Sequence, residues 1–264
     1  MREHIENKMY HIEILPPKQE TENLQEELKL FAEKYNKVLN GGYCACITDN
    51  AMGYLAFQGT EIIEHLKLPV FTNQVMIHLN TFHTKADLHN ILDSCKSLGI
   101  KYLLVVSGDG SERLPKLQPA DVNAKGITRS VTAVELLKYI ESEYPNDFCL
   151  GVAFNPYEPA EHEYEKLDRK LKAGAKFIVT QPIIQKNDVV DKLIDYCSIP
   201  VFIEAWMSKK ISLLSQAVGY EIPENEQFDP IETLKMLHKI YSRCGAYLSI
   251  LGFKTQYALI KDIW

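Results

Sequence analysis

Eight short apolar runs, each followed by a stretch with helical periodicity, recur along the chain at intervals of roughly 25–35 residues. The runs lie at 9–15, 43–48, 75–79, 102–106, 148–154, 176–180, 200–205 and 247–251. Buried parallel strands read this way, because helices cover both faces and polar alternation is lost. The stretches at 21–38, 60–68, 85–98, 131–143, 164–173, 189–196 and 211–218 carry apolar residues at helical spacing, as Leu24, Leu28, Phe31 and Tyr35 do in the first. Further helices are expected at 231–244 and 254–263, and residues before 9 read as a polar lead-in. Eight such units in 264 residues predict an α/β fold, a (β/α)8 TIM barrel rather than a doubly wound sheet. No low-complexity segment interrupts the series, so residues 1–264 are expected to form a single domain.

With 46% hydrophobic residues the chain can bury one large core. A net charge of −6 and a pI near 5.8 argue against a nucleic-acid partner, which needs a basic stripe. No run reaches the roughly 18–20 apolar residues of a membrane span, and the first residues lack the apolar centre of a secretory leader. The six cysteines are scattered, apart from Cys44 and Cys46 within one apolar run. Core packing accounts for them; no metal site is predicted, and a cytoplasmic location follows as the default.

Barrel enzymes gather chemistry at the C-terminal ends of their strands. Here those ends carry Glu13; Thr48, Asp49 and Asn50; His78; Ser107, Gly108 and Asp109; Asn155; Gln181; Glu204; and Ser249. Glu13 stands between Ile12 and Ile14 in a strand stopped by Pro16 and Pro17. A one-sided strand would turn it to solvent, but a parallel sheet covered by helices has no solvent face, so a functional role is expected. Glu204 is buried by the same pattern. A lone histidine such as His78 is more often structural than catalytic. In Ser107-Gly108-Asp109-Gly110 two glycines let the chain turn sharply and leave Asp109 little apolar cover. The segment 112–129, with Pro115 and Pro119, is long enough for a lid, a binding loop or disorder. There is no paired-histidine metal motif, nucleophile elbow, strand-end lysine or phosphate loop. Such strand ends suit hydrogen bonding to a polar heterocycle and donation of a proton; at this level the substrate stays open.

Four stretches in order carry a resemblance: IEILPPK (12–18), VVSGDG (105–110), GVAFNP (151–156) and LDRKLKAGAKFIVTQP (167–182). Together they resemble the methylenetetrahydrofolate reductase family, flavin-dependent barrels that make 5-methyltetrahydrofolate. The resemblance implies that Glu13 is the general acid that promotes opening of the five-membered ring of methylenetetrahydrofolate to the iminium. It implies that Asp109 accepts hydrogen bonds from the pterin, and that Gln181 contacts the folate near the flavin. Thr48, His78, Gly108 and Lys170 fall on flavin-contacting positions, and Ser107 and Asn155 occupy two more. Without the resemblance, Lys170 would read equally as part of a solvated helix face. The implied cofactor is FAD, with NADH or NADPH as electron donor.

The chain departs from the family pattern at several of these positions. Ser107 stands where arginine usually precedes Gly-Asp, and Thr48-Asp49-Asn50 replaces Thr-Tyr-Gly. Asn155 replaces an aromatic residue, and Leu251-Gly252-Phe253 replaces Leu-Asn-Arg. Folate positions are kept while flavin and nicotinamide positions change. FMN, or no flavin, therefore stays open, as do a methyl-transfer or folate-binding barrel and a folate-holding subunit of a larger complex. A homo-oligomer or an electron-donating partner subunit stays open as well.

Overall fold

The computed structural model describes every residue except 125, 127–129, 224–227, 262 and 264. Its strands are β1 (His11–Ile14), β2 (Cys44–Ile47), β3 (Val75–Leu79), β4 (Tyr102–Val105), β5 (Cys149–Phe154), β6 (Phe177–Pro182), β7 (Val201–Trp206) and β8 (Gly245–Ser249). They close into a barrel in the order of the sequence, with parallel pairing. The helices are α1 (Arg2–Glu6), α2 (Leu24–Asn40), α3 (Gly59–Leu66), α4 (Lys85–Leu98), α5 (Ala133–Glu143), α6 (Ala160–Lys172), α7 (Asp188–Tyr196), α8 (Ile211–Val218), α9 (Pro230–Ile240) and α10 (Phe253–Gln256). The expected (β/α)8 barrel is therefore the observed fold. No described helix is long and apolar enough to cross a membrane.

Three local expectations differ. The polar lead-in is the short helix α1, placed by His4, which is buried. The helix expected at 231–244 stops at Ile240, and Cys244 lies beyond its last turn. The closing helix is one α turn followed by a 3-10 turn at Tyr257–Ile260, and residue 262 of that expected span lies outside the described residues. Helix ends follow their caps. Thr84 and Thr132 each accept from a first-turn N–H while Asp87 and Glu135 return the bond, Asn187 caps α7, and Asp229 precedes Pro230 at the start of α9. Each such cap is worth about 1 kcal/mol.

By their contacts the residues gather in two compact units. The first holds Met1–Glu13, Ala153–Asp168 and Phe177–Trp264. At the N-terminal end of its strands the Phe202 ring stacks on His11, with centroids 4.1 Å apart, and meets Phe177 edge-on at 6.1 Å. A Cβ at Gly245 would lie 2.3 Å from the Phe202 ring, so only glycine admits this filling. Two residues further along, the same strand faces present Glu13, Glu204 and Tyr247.

The second unit holds Ile14–Val152 and Arg169–Lys176. β2 is buried throughout, including the free thiols Cys44 and Cys46. The described part of the long 112–129 segment is pinned by buried Leu114, Leu117 and Val122, and the Leu117 N–H donates to the Thr81 carbonyl at 2.9 Å. Residues 125 and 127–129 of that segment lie outside the described residues.

Candidate functional site

In the first unit, β8 supplies hydroxyls to two acids. The Tyr247 hydroxyl donates to Glu13 Oε2 at 2.8 Å, and the Ser249 hydroxyl donates to Glu204 Oε1 at 2.5 Å. Both acids are half-buried. Burial pushes the Glu13 carboxyl above its ordinary range, against the pull of the Tyr247 hydrogen bond. Glu204 is pushed up to about 8, by burial first and by the charge of Glu13 second. Beyond Glu204, Trp206 is 7% exposed and packs with Leu214, Val218 and Ile222, with Tyr157 against the same cluster. The Trp206 indole N–H is buried without a hydrogen-bond partner among the described residues. Gln181 is half-buried near the end of β6. Asn155 follows β5; its N–H donates to Glu163 at 3.0 Å, and its side-chain oxygen accepts from the Tyr157 N–H at 3.1 Å. That oxygen is thus occupied in a local turn.

In the second unit, the end of β2 anchors a buried polar network. Asp49 Oδ2 accepts from the Asn80 N–H at 2.8 Å and lies 2.7 Å from His83 Nε2, while Gln58 donates to Oδ1 at 3.1 Å. A buried carboxylate satisfied this fully organises loops rather than reacting. Thr48, just before it, is 6% exposed, and its hydroxyl has no hydrogen-bond partner among the described residues. His78 is half-buried on β3, and burial lowers its pKa to about 4, so its imidazole is neutral at physiological pH.

The turn after β4 is clasped to the loop after β2. Asp109 is exposed, and its Oδ2 accepts from the Met52 N–H at 2.7 Å. Asn50 and Met52 both hold positive φ, 46° and 58°, so this contact helps fix a left-handed backbone. Gly108 (φ 84°) and Gly110 (φ 71°) lie against Phe82; a Cβ on Gly110 would meet the ring at 2.5 Å. The tightness of the turn thus serves its packing on Phe82. The Ser107 hydroxyl accepts from the Ala133 N–H at 3.4 Å, adding to the cap of α5, and its carbonyl accepts from Thr81 at 2.8 Å. Lys170 sits in the last turn of α6.

The structure therefore groups Glu13 with Glu204 and Ser249 in the first unit, and joins Asp109 to the Asn50–Met52 loop in the second. Sequence reasoning missed Tyr247, Trp206, and the part that His83 and Asn80 play around Asp49. A period-two reading of β8 would have found Tyr247, because Gly245, Tyr247 and Ser249 share one face.

The family description methylenetetrahydrofolate reductase matches residues 1–234. The chain belongs to the methylenetetrahydrofolate reductase family. A curated relative, methylenetetrahydrofolate reductase 2 of Schizosaccharomyces pombe, is 28% identical over 193 residues, covering 66% of this chain and 28% of the relative. The chain thus spans about a quarter of the length of the curated relatives it matches. Among solved structures, a Clostridium thermocellum protein described as binding two copies of 5-methyl-5,6,7,8-tetrahydrofolic acid superposes with a TM-score of 0.66. The identity is 15%, with 99% of this chain and 98% of that one covered. Oxaloacetate acetylhydrolase reaches a TM-score of 0.54 at 9% identity, covering 99% of this chain and 83% of its own. At these identities the likeness is one of fold.

Proposed function

We propose that this member of the methylenetetrahydrofolate reductase family reduces 5,10-methylenetetrahydrofolate to 5-methyltetrahydrofolate, with Glu13 as proton donor. One observation carries the reading: Glu13 is a half-buried carboxyl at the C-terminal end of β1 whose pKa is raised by burial. A carboxyl whose pKa is raised by burial favours the protonated form that a general acid needs. Glu13 protonates the nitrogen that leaves as the five-membered ring opens, and the methylene carbon becomes an electrophilic iminium. Asp109 accepts hydrogen bonds from the pterin N–H groups, an arrangement that favours positive charge on the activated ring. Asp109 spends one oxygen on Met52, and a carboxylate offers further lone pairs for a ligand. Gln181 orients the ring through its amide.

The second unit's residues fit a flavin in part. Among the described residues the buried Thr48 hydroxyl lacks a hydrogen-bond partner, which a polar flavin atom would supply. Neutral His78 can donate or accept, and Lys170 offers a charge for a phosphate. When bound, FAD would relay hydride from NADH or NADPH to the folate. Ser107 and Asn155 contribute less, because the Ser107 hydroxyl accepts from the Ala133 N–H at 3.4 Å and the Asn155 oxygen closes a turn.

The commitment of Ser107 favours a second reading, a barrel that binds reduced folate without flavin, the ligand class that the Clostridium thermocellum protein holds. Absorbance after incubation with FAD separates the two. Flavin bands near unit occupancy, bleached by NADH or dithionite and restored by methylenetetrahydrofolate, support the reductase. A colourless protein that still binds 5-methyltetrahydrofolate supports the second reading, and failure to bind either ligand overturns both.

A further inference from the structure

Glu13 has an acidic neighbour that the chemistry above does not use. β8 runs between β1 and β7: Tyr247 and Leu248 pair with His11 and Ile12 on one side, and with Glu204 and Ala205 on the other. From one face of this strand, Tyr247 reaches Glu13 and Ser249 reaches Glu204. Two half-buried carboxyls thus flank the same strand, each held by a hydroxyl two residues from the other. We propose that Glu13 and Glu204 hold a single proton between them at neutral pH, Glu204 serving as the positioning residue that keeps this proton available to Glu13. The inference rests on the reading of Glu13 as proton donor.

The side chains that hydrogen-bond the pair are uncharged hydroxyls. α1, which also packs on β8, carries Arg2, Glu3, His4 and Glu6, with Arg2 donating to the Ser198 carbonyl at 2.8 Å and His4 lying 2.8 Å from His11. β8 contributes the Tyr247 and Ser249 hydroxyls. From β6 the Thr180 hydroxyl accepts from the backbone N–H of Glu204 at 3.0 Å, and Gln181 follows on that strand. Beyond β5 the Tyr157 phenol donates to the Pro182 carbonyl at 2.6 Å, and its own ionisation is opposed by burial first and, to a lesser degree, by the charges of Tyr220 and Glu204. α9 also packs on β7, and its charges are engaged elsewhere: Lys235 with Glu232 at 2.8 Å, and His238 with the Tyr10 hydroxyl at 2.9 Å. The remaining charge on that helix is Lys239, in its last turn.

Two carboxylates placed together in a desolvated setting cannot both ionise cheaply, so they titrate as a coupled pair in two steps. Each carboxyl accepts from one hydroxyl, Glu13 from Tyr247 and Glu204 from Ser249, so neither hydrogen bond alone fixes the shared proton on one acid. Substrate that needs the proton draws it to Glu13 and onto the leaving nitrogen. The pair then passes from singly to doubly negative and recovers a proton from solvent.

The test is a titration of protein labelled with carboxyl-13C glutamate, followed by NMR without flavin or folate, in wild type, Glu204→Gln and Glu13→Gln. The wild type is expected to show two coupled steps, the upper near pH 8. In each variant the upper step disappears, and the remaining carboxyl titrates once, at lower pH. Both acids ionising independently below pH 6 in the wild type, or Glu13 titrating unchanged in Glu204→Gln, overturns the proposal. If the pair titrates as expected while Glu13→Gln keeps full folate reduction, the pair stands and the role of Glu13 as donor falls.

Discussion

The Tyr247 hydroxyl donates to Glu13 Oε2 at 2.8 Å, so the residue proposed as proton donor is held by a hydrogen bond that favours its ionised form. Burial raises the pKa of Glu13 and Tyr247 restrains the rise. Tyr247→Phe keeps the ring and removes the restraint. Its Glu13 carboxyl is therefore expected to stay protonated to higher pH than in the wild type, visible as an upward shift in a 13C carboxyl titration. A downward shift would show that the hydroxyl does not act on Glu13 in this sense.

Glu204 makes stability fall as pH rises. Its folded pKa, about 8, lies above the ordinary 4.5, so the folded state holds the proton more tightly than the unfolded state. The stability this proton contributes is complete below pH 4.5 and is lost as pH climbs through 8. Glu204→Gln abolishes that loss. Urea unfolding should show the variant gaining on the wild type between pH 5 and pH 9, by on the order of 1–3 kcal/mol once solvent screening is allowed for. A constant difference across that range would contradict the buried, charged state.

The histidines of the first unit act in the opposite direction. His4 Nδ1 lies 2.8 Å from His11 Nε2, both residues are buried, and burial lowers His4 to about 4 and His11 well below its ordinary 6.5. The unfolded chain takes up these protons first, so stability present above pH 6.5 is lost as pH falls toward 4. Urea midpoints should drop across this window. His4→Gln should flatten the drop, and an unaltered slope would remove the pair as its cause.

Met52 is 58% exposed and holds φ at 58°. A left-handed conformation costs a non-glycine residue roughly 1 kcal/mol, whereas little burial is lost with this side chain. Met52→Gly is therefore expected to be neutral or stabilising by up to about 1 kcal/mol in chemical denaturation, with glycine's greater unfolded entropy offsetting part of the gain. Destabilisation beyond about 1 kcal/mol would mean that the Met52 side chain packs more than its exposure suggests.

The barrel was legible because its strands are apolar on both faces and its helices are amphipathic, two periods that survive in a single sequence. The acids were legible for the same reason: Glu13 and Glu204 interrupt apolar runs. What holds them was not. Tyr247 reads as another large strand residue until the register of β8 against β1 and β7 is known. Asp49 reads as a turn former, yet it anchors His83, Asn80 and Gln58, because a network spanning 34 residues of sequence leaves no local pattern. Motif reading assigned Ser107 and Asn155 to a cofactor. In the structure each spends side-chain hydrogen-bonding capacity on nearby backbone, a competition that spacing does not reveal.

The most direct test of the account is the rate of 5-methyltetrahydrofolate formation from methylenetetrahydrofolate, compared between wild type and Glu13→Gln in protein reconstituted with FAD under reducing conditions. A general acid contributes about 10²–10⁴-fold, so the variant should lose at least roughly 10²-fold in rate while its dissociation constant for 5-methyltetrahydrofolate stays within a few-fold. Equal rates in the two proteins would contradict the account.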